Sequence, residues 1–428
     1  MPTTSLPTAL NVRVTDGRVI GPIIVALGGS DSSGVLRAAQ FFESTTVGGM
    51  TAVSVLEPLT PYLTGEYPSL MSPEFEQERA TGRHASLRRE IREATHSADW
   101  DTKVVYGDPS YALTTLARSS HSPLIVMGIG RRRPIDRLLG LETAARTMRR
   151  APCPVLAVSH SVSVPFRVAV VAMDFSVASI SAAKAIVPLL ASTAELHLLH
   201  IWERVTDDDR LRPANEAYAA SLPARFERVR QLLAVPNGVT VKQEVREGKV
   251  AEHILTFADA RHADVIVAGR HGLSPLERLF VGSVTTTLLH GATCSLLIAP
   301  EPALVERSGI LQALSTTTES PVPSAWATLL ERFTARNHGR RTIVEVDNVS
   351  LGAQIIESGF ALRGAAYDHH DRAVTLMLGV GTTTHMTRTI TNIASIALYA
   401  DATGHDAALR IAHDSGQTLL TFLLPADA

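Results

Sequence analysis

The residues with most chemical potential lie near position 270. Gly269-Arg270-His271-Gly272 is followed, nine residues later, by Gly282-Ser283. The glycines come directly after an apolar run, Ala263-Asp264-Val265-Ile266-Val267-Ala268, that reads as a buried parallel strand. A strand that ends in a glycine loop and leads into a helix suits phosphate. Glycine lets the backbone approach an anion closely and adopt positive φ. The loop amides and the helix N-terminus behind them supply partial positive charge. Each glycine taken singly also fits an ordinary strand-to-helix turn. Arg270 and His271 are more often solvated loop residues than phosphate ligands.

The elements that must position this loop come from an internal repeat. Val25-Ala26-Leu27-Gly28-Gly29-Ser30 aligns with Val171-Ala172-Met173-Asp174-Phe175-Ser176 at an offset of 146, and Val53-Ser54-Val55 with Leu199-His200-Ile201 at the same offset. Gly107 aligns with Gly248, Gly128 with Gly269 and Cys153 with Cys294, all at 141. A five-residue change in a connecting loop or helix is cheap. In the second copy the pattern predicts strands at Phe166–Met173, Glu195–Trp202, Val239–Arg246, Asp264–Ala268 and Ser295–Ala299. Helices are predicted at Ala178–Leu190, Pro223–Leu233, Val250–Arg261 and Ser283–His290. Alternation of this kind predicts an α/β fold with a doubly wound parallel sheet. Ligands then bind beyond the carboxyl ends of the strands, where the strand order reverses.

The second copy resembles the ATP-binding kind of universal stress protein domain. The resemblance rests on Met173-Asp174-Phe175-Ser176 after the first strand, Leu198-Leu199-His200-Ile201 at the second, Glu247-Gly248 before a helix, and the G-x₂-G-x₉-G-S loop. It covers residues 165–300 closely and 20–159 in outline. It implies a tandem of two Rossmann-like domains with ATP as ligand, held with or without Mg²⁺. Asp174 would meet ribose or adenine, and Ile201 would offer its backbone to the adenine edge. Gly269, Gly272, Gly282 and Ser283 would surround the phosphates, with the Val284 backbone and the Thr285 hydroxyl next in line. Asp174 could equally be a plain helix N-cap. The resemblance further implies that the two repeats pair through their final strands, Val155–Val158 and Leu296–Ala299, and that chains associate as homodimers.

The first copy departs from the pattern. Gly28 stands where Asp174 does, the loop Gly128-Ile129-Gly130 is one residue shorter, and Leu141 and Glu142 follow Gly140. A carboxylate at that position would repel phosphate. Arg131-Arg132-Arg133 reads as a solvated basic turn, or as partial compensation. Gly28-Gly29-Ser30-Asp31-Ser32 also resembles the G-G-x-D-S loop of ATP pyrophosphatases, with Leu27 in place of their usual serine. That opens an alternative reading: a slow ATP hydrolase, or an adenylylating enzyme using Gly28–Ser32.

Composition bounds the rest. The chain has 428 residues, 45% hydrophobic and 19% charged, with a net charge of −2. Nothing basic enough for a nucleic-acid footprint stands out, nor any apolar run of about 18 residues for a membrane span. Met1 to Asn11 lacks the pattern of a signal peptide, so the expected location is cytoplasmic. Cys153 and Cys294 each precede an apolar strand and read as small buried hydrophobes.

Residues 301–323 read as a linker, and 324–428 as a small α+β domain with a mostly antiparallel sheet. Ser324 is a candidate cap for a helix through Arg336 whose apolar face is Trp326, Leu329, Leu330 and Phe333. Strands are predicted at Thr342–Val346, Ala373–Leu378, Thr387–Leu398, Leu409–His413 and Thr418–Leu424. His369, His370 and Asp371 suit an exposed hairpin tip. His385, His405 and His413 lack zinc-ligand spacing. The expected organisation is 1–159, a degenerate universal stress domain; 160–300, an intact one; the linker; and an accessory domain that contacts a protein partner. No catalytic or metal-ligating residue is expected.

Overall fold

The computed structural model describes residues 13–15, 18–28, 32–57, 73–95, 100–129, 134–202, 212–270, 283–300, 317–319, 321–348, 352–380, 384–400, 405–414 and 416–422. The first repeat runs β1 (Arg13–Thr15), β2 (Arg18–Ile20), β3 (Ile23–Ala26), α1 (Ser33–Thr45), β4 (Thr46–Val47), β5 (Met50–Leu56), α2 (Pro73–Thr95), β6 (Asp101–Tyr106), α3 (Pro109–Ser119), β7 (Ile125–Gly128), α4 (Pro134–Arg150) and β8 (Val155–Val158). The second runs β9 (Phe166–Ala172), α5 (Val177–Ile186), β10 (Leu190–Trp202), α6 (Arg212–Leu233), β11 (Thr240–Glu247), α7 (Val250–Ala260), β12 (Val265–Gly269), α8 (Ser283–Gly291) and β13 (Ser295–Ala299).

Both repeats share one ten-stranded sheet, in the order β11-β10-β9-β12-β13-β8-β7-β3-β5-β6. Within each half all pairings are parallel. The halves meet where β13 pairs antiparallel with β8, setting Leu296 opposite Ala157, Leu297 opposite Leu156 and Ile298 opposite Val155. This is the pairing the resemblance implies. Every residue of both strands is buried, so separating them would bare two apolar sheet edges. One apolar layer lies on each face of the sheet, and each draws residues from both repeats. The antiparallel pairing leaves Cys153 and Cys294 before opposite ends of the seam. Both are free thiols, pushed by burial to about 12 and about 11 respectively.

Backbone hydrogen bonds reproduce the repeat offsets. Leu27 N–H donates to Val53 O at 2.8 Å, as Met173 does to Leu199. Gly107 N–H donates to Leu56 O at 3.1 Å, as Gly248 does to Trp202 at 3.2 Å. Gly107 and Gly248 hold φ of +125° and +126°, which glycine reaches without a Cβ clash. One helix departs from expectation. Pro223 suits a helix start, yet α6 begins at Arg212 and carries Pro223 inside it. Leu222, Phe226, Val229 and Leu233 are buried against the sheet, and this packing holds the helix across the missing N–H.

The C-terminal sheet has eight strands: β14 (Thr317–Glu319), β15 (Arg341–Asn348), β16 (Gly352–Asp368), β17 (Ala373–Val380), β18 (Thr384–Ile390), β19 (Ile393–Ala400), β20 (Asp406–His413) and β21 (Gly416–Phe422). Their order is β14-β19-β20-β21-β15-β16-β17-β18, antiparallel throughout. β14 lies inside the stretch that reads as a linker. β18 sits at one end of the order and β19 near the other, yet only Thr391 and Asn392 join them, so the sheet must curl. Its concave face buries α9 (Trp326–Asn337) through Trp326, Leu329, Leu330 and Phe333, the face its spacing predicts.

Three local expectations fail here. Ser324 lies in a 3₁₀ turn, and Ala325 stands at the cap position without a side-chain bond. Thr387–Leu398 is two strands, broken at Asn392 with φ +55°. β16, the longest strand, is rich in Gly and Ala and lacks a strand-like alternation, so strands on both sides hold it instead. The tip His369-His370-Asp371 is exposed between β16 and β17, as expected.

Candidate functional site

The strand order reverses between β9 and β12. This puts the residues after Ala172 beside the residues after Ala268, at one end of the sheet. Gly269 closes the distance. A Cβ there would fall 2.7 Å from the carbonyl carbon and 2.9 Å from the Cβ of Ala178, in the first turn of α5. Only glycine lets β12 end this close to the helix that follows Asp174.

Asp174 is not the cap of that helix. Its Oδ1 accepts the Ser176 N–H at 2.9 Å. Ser176 is the N-cap, its Oγ accepting the Ser179 N–H at 3.1 Å. Phe175 between them has φ +63°, a conformation L-residues rarely adopt. The turn drives Phe175 inward, where its ring meets His200 at 4.9 Å and Phe226 at 5.0 Å. Asp174 stays partly exposed at the strand end.

Ile201 is half-buried, and its backbone faces the same crevice. Leu199 O accepts from Met173 on the β9 side, and Trp202 O accepts from Gly248 on the β11 side. Alternation along the strand turns the Ile201 N–H and C=O toward β9, whose ladder ends at Leu199. These two groups therefore look out above Asp174. Ser283 opens α8, Val284 is half-buried and Thr285 is buried in that helix's first turn. Gly272 and Gly282 lie outside the described residues, as do His271, Gly29, Ser30, Asp31 and Arg131 to Arg133.

Sequence reasoning missed the floor of the crevice. His200 is buried, its Nδ1 2.8 Å from Met173 O and its Nε2 2.9 Å from the Tyr218 hydroxyl on α6. Met173 O can only accept, so Nδ1 carries the proton and Nε2 accepts from Tyr218. Burial lowers the His200 pKa, opposed by the Met173 bond and the Asp174 charge. The Tyr218 hydroxyl is raised, also by burial first. The Arg225 guanidinium lies 5.4 Å from the Tyr218 ring centre and 5.9 Å from that of Phe175. A histidine inside the apolar run Leu198-Leu199-His200-Ile201 was the available signal.

The first repeat builds the same floor differently. Ser54 stands at the position of His200. Arg83 of α2 reaches in and donates to the Ser54 hydroxyl and to Leu27 O, each at 2.8 Å, while pairing with Glu90 at 2.6 Å. A guanidinium thus bonds the carbonyl just before Gly28, where the second repeat has an imidazole. Two expectations change. Glu142 does not face a phosphate position: α4 runs unbroken through Gly140, and Glu142 pairs with Arg146 on its exposed side. Arg270 is neither a solvated loop residue nor aimed at the crevice. Its Nη1 donates to Ala151 O at 2.8 Å and Arg149 O at 3.2 Å, at the C-terminal end of α4.

Sequence comparison matches residues 20–159 and 165–300 to the universal stress protein family, and residues 322–428 to a family of unknown function (DUF5335). A universal stress protein of Methanocaldococcus jannaschii is 38% identical over 65 residues, 15% of this chain and 38% of the relative. One of Synechocystis is 37% identical over 62 residues, 14% of this chain and 40% of the relative. The chain thus spans about two-fifths of the length of these curated relatives. Among solved structures, a universal stress protein from Archaeoglobus fulgidus matches over 66% of this chain and 97% of its own, with 19% identity and a TM-score of 0.44. A universal stress protein family protein from Arabidopsis thaliana with AMP bound matches over 32% of this chain and 91% of its own, with 14% identity and a TM-score of 0.23. No described helix is long and apolar enough to cross a membrane.

Proposed function

The chain belongs to the universal stress protein family, and we propose that its second repeat binds ATP in the crevice between Asp174 and Gly269 while its first repeat does not. The observation that carries this reading is the convergence of three features at the switch point. They are a carboxylate (Asp174), an outward-facing backbone pair (Ile201), and a glycine-ended strand packed on α5 (Gly269). The Asp174 carboxylate suits ribose hydroxyls, and the Ile201 N–H and C=O suit an adenine edge. Gly272, Gly282, Ser283, Val284 and Thr285 complete the phosphate side, with or without Mg²⁺.

The role is that of a nucleotide-responsive binding protein in stress adaptation. Turnover is not expected, and the imidazole at the floor among the described residues is committed. Both His200 nitrogens are engaged and its ring is buried. In the first repeat the acid is absent and Arg83 ties up the Leu27 carbonyl. Loss of one charge-assisted hydrogen bond costs about 1.5–3 kcal/mol, roughly tenfold to a hundredfold in affinity. Mass spectrometry of ligand released from purified protein tests the assignment. Bound ATP supports it, and AMP accompanied by an adenylate would indicate the adenylylating alternative.

A further inference from the structure

The concave face of the C-terminal sheet carries a cation without a counter-ion among the described residues. Arg388 on β18 shares a strand face with Met386 and Ile390, which pack into or against the apolar core, so its side chain leaves the sheet on the α9 side. It is half-buried. Its Nε is shut off from solvent with no hydrogen-bond partner, and it forms no ion pair with a described residue. Burial lowers its pKa. A half-buried guanidinium in this state is costly unless something anionic meets it.

A second polar group lies on the same face. Thr418 on β21 is fully buried between Val346 and Ile411, its neighbours across the two adjoining strands. Its hydroxyl is likewise without a partner. His413 occupies the position diagonal to Thr418 on β20 and feels the Arg388 charge. All three residues therefore lie on one face of the sheet, toward the side where the turn Thr391-Asn392 joins its two ends. The nearby carboxylate, Asp414, is exposed on the β20–β21 turn. It raises the His413 pKa.

We propose that this corner of the C-terminal domain is a binding site for an oxyanion, a phosphate or carboxylate group, with Arg388 as the charged fork and the Thr418 hydroxyl as a neutral donor. A guanidinium presents parallel N–H groups that fit either oxyanion bidentately. The site is independent of the nucleotide crevice.

Calorimetric titration of the full chain with inorganic phosphate, and separately with malonate, tests the proposal and identifies the preferred oxyanion. Sodium chloride at matched ionic strength serves as the control. Saturable heat is expected with at least one oxyanion and not with chloride. Arg388→Gln should weaken that binding at least tenfold. Thr418→Val should weaken it several-fold with the melting temperature of the ligand-free protein unchanged or raised, because a methyl then replaces an unbonded hydroxyl. Absence of saturable binding by both anions would overturn the proposal. So would equal affinity in wild type and Arg388→Gln, or in wild type and Thr418→Val.

Discussion

Arg270 Nη1 lies 2.8 Å from the carbonyl oxygen of Ala151, 119 residues away in the chain. The residue immediately after the second repeat's glycine-ended strand thus caps the C-terminal end of α4 in the first repeat. Its backbone N–H meanwhile donates to Ala299 O at 2.7 Å. Positive charge at a helix C-terminus is favourable in itself, and Nη1 here also satisfies carbonyls that the helix leaves open. The antiparallel seam between β8 and β13 is thereby reinforced from the crevice side.

Replacing Arg270 should therefore be felt in stability. Arg270→Ala is expected to destabilise the protein by about 2 kcal/mol, within the range for hydrogen bonds to charged groups. Arg270→Lys should recover only part of this, because the shorter lysine side chain does not bring its ammonium to the position Nη1 holds. Urea unfolding of the three proteins measures the differences. A loss under about 0.5 kcal/mol in Arg270→Ala, the level of an ordinary surface change, would show that the strut does not matter.

The two strand-end glycines should respond differently to alanine. Gly269→Ala would force a Cβ to within 2.7 Å of the Ala178 backbone. Overpacking of that kind costs about 1–3 kcal/mol, and it should also push α5 and Asp174 away from the crevice. Gly128→Ala meets only a Val35 methyl at 3.2 Å, which can give way. Thermal melts of both variants, with and without ATP, should show a large loss for Gly269→Ala and a small one for Gly128→Ala. Similar losses would argue against the close approach.

Stability should fall in mild acid. Burial holds the His200 pKa below its ordinary value of 6.5, and the same holds for His197. Below 6.5 the unfolded chain takes up protons that the folded state refuses, so the folded state loses ground as pH falls. Above 6.5 this contribution is fully present and flat. Unfolding free energy measured from pH 8 to pH 5 should decline below about 6.5. His200→Gln should shallow that decline, with His197 and His413, whose pKa values burial also lowers, supplying most of the remainder. An unchanged slope in His200→Gln would mean that His200 is not titrating between the two states.

The C-terminal sheet is separate from the ten-stranded sheet, and every proposed nucleotide ligand precedes residue 301. A fragment of residues 1–300 should fold and bind ATP within about threefold of the full chain, a difference of about 0.6 kcal/mol. Circular dichroism and calorimetry check both halves of the statement. Lost binding in a folded fragment would make the C-terminal domain part of the site.

Much of the doubly wound architecture was legible because buried parallel strands leave short apolar runs such as Val265-Ile266-Val267-Ala268. The repeat offsets then fixed which residues correspond. The roles of Asp174, Ile201 and Gly269 came from the family resemblance, and the switch point sets the ends of β9 and β12 side by side. Arg270 could not be placed, since its partners are backbone carbonyls more than a hundred residues away with no side-chain signature. Arg83 was hidden for a similar reason, as its bond to Leu27 O depends on how α2 lies on the sheet. β16 was missed because its Gly- and Ala-rich sequence has little strand preference of its own, and pairing on both sides decides its conformation. Glu142 was misplaced because Gly140, which reads as a loop glycine, lies inside a helix.

The measurement closest to the central claim is the stoichiometry of ATP binding by calorimetry, in the full chain and in two second-repeat variants. The structure and the repeat asymmetry predict about one ATP per chain, with Asp174→Ala reducing affinity at least tenfold and Gly282→Val removing most of the binding. Glu142→Ala should bind as the wild type does. Two equivalent sites per chain, or binding that survives both second-repeat changes, would contradict the account and move the nucleotide to the first repeat.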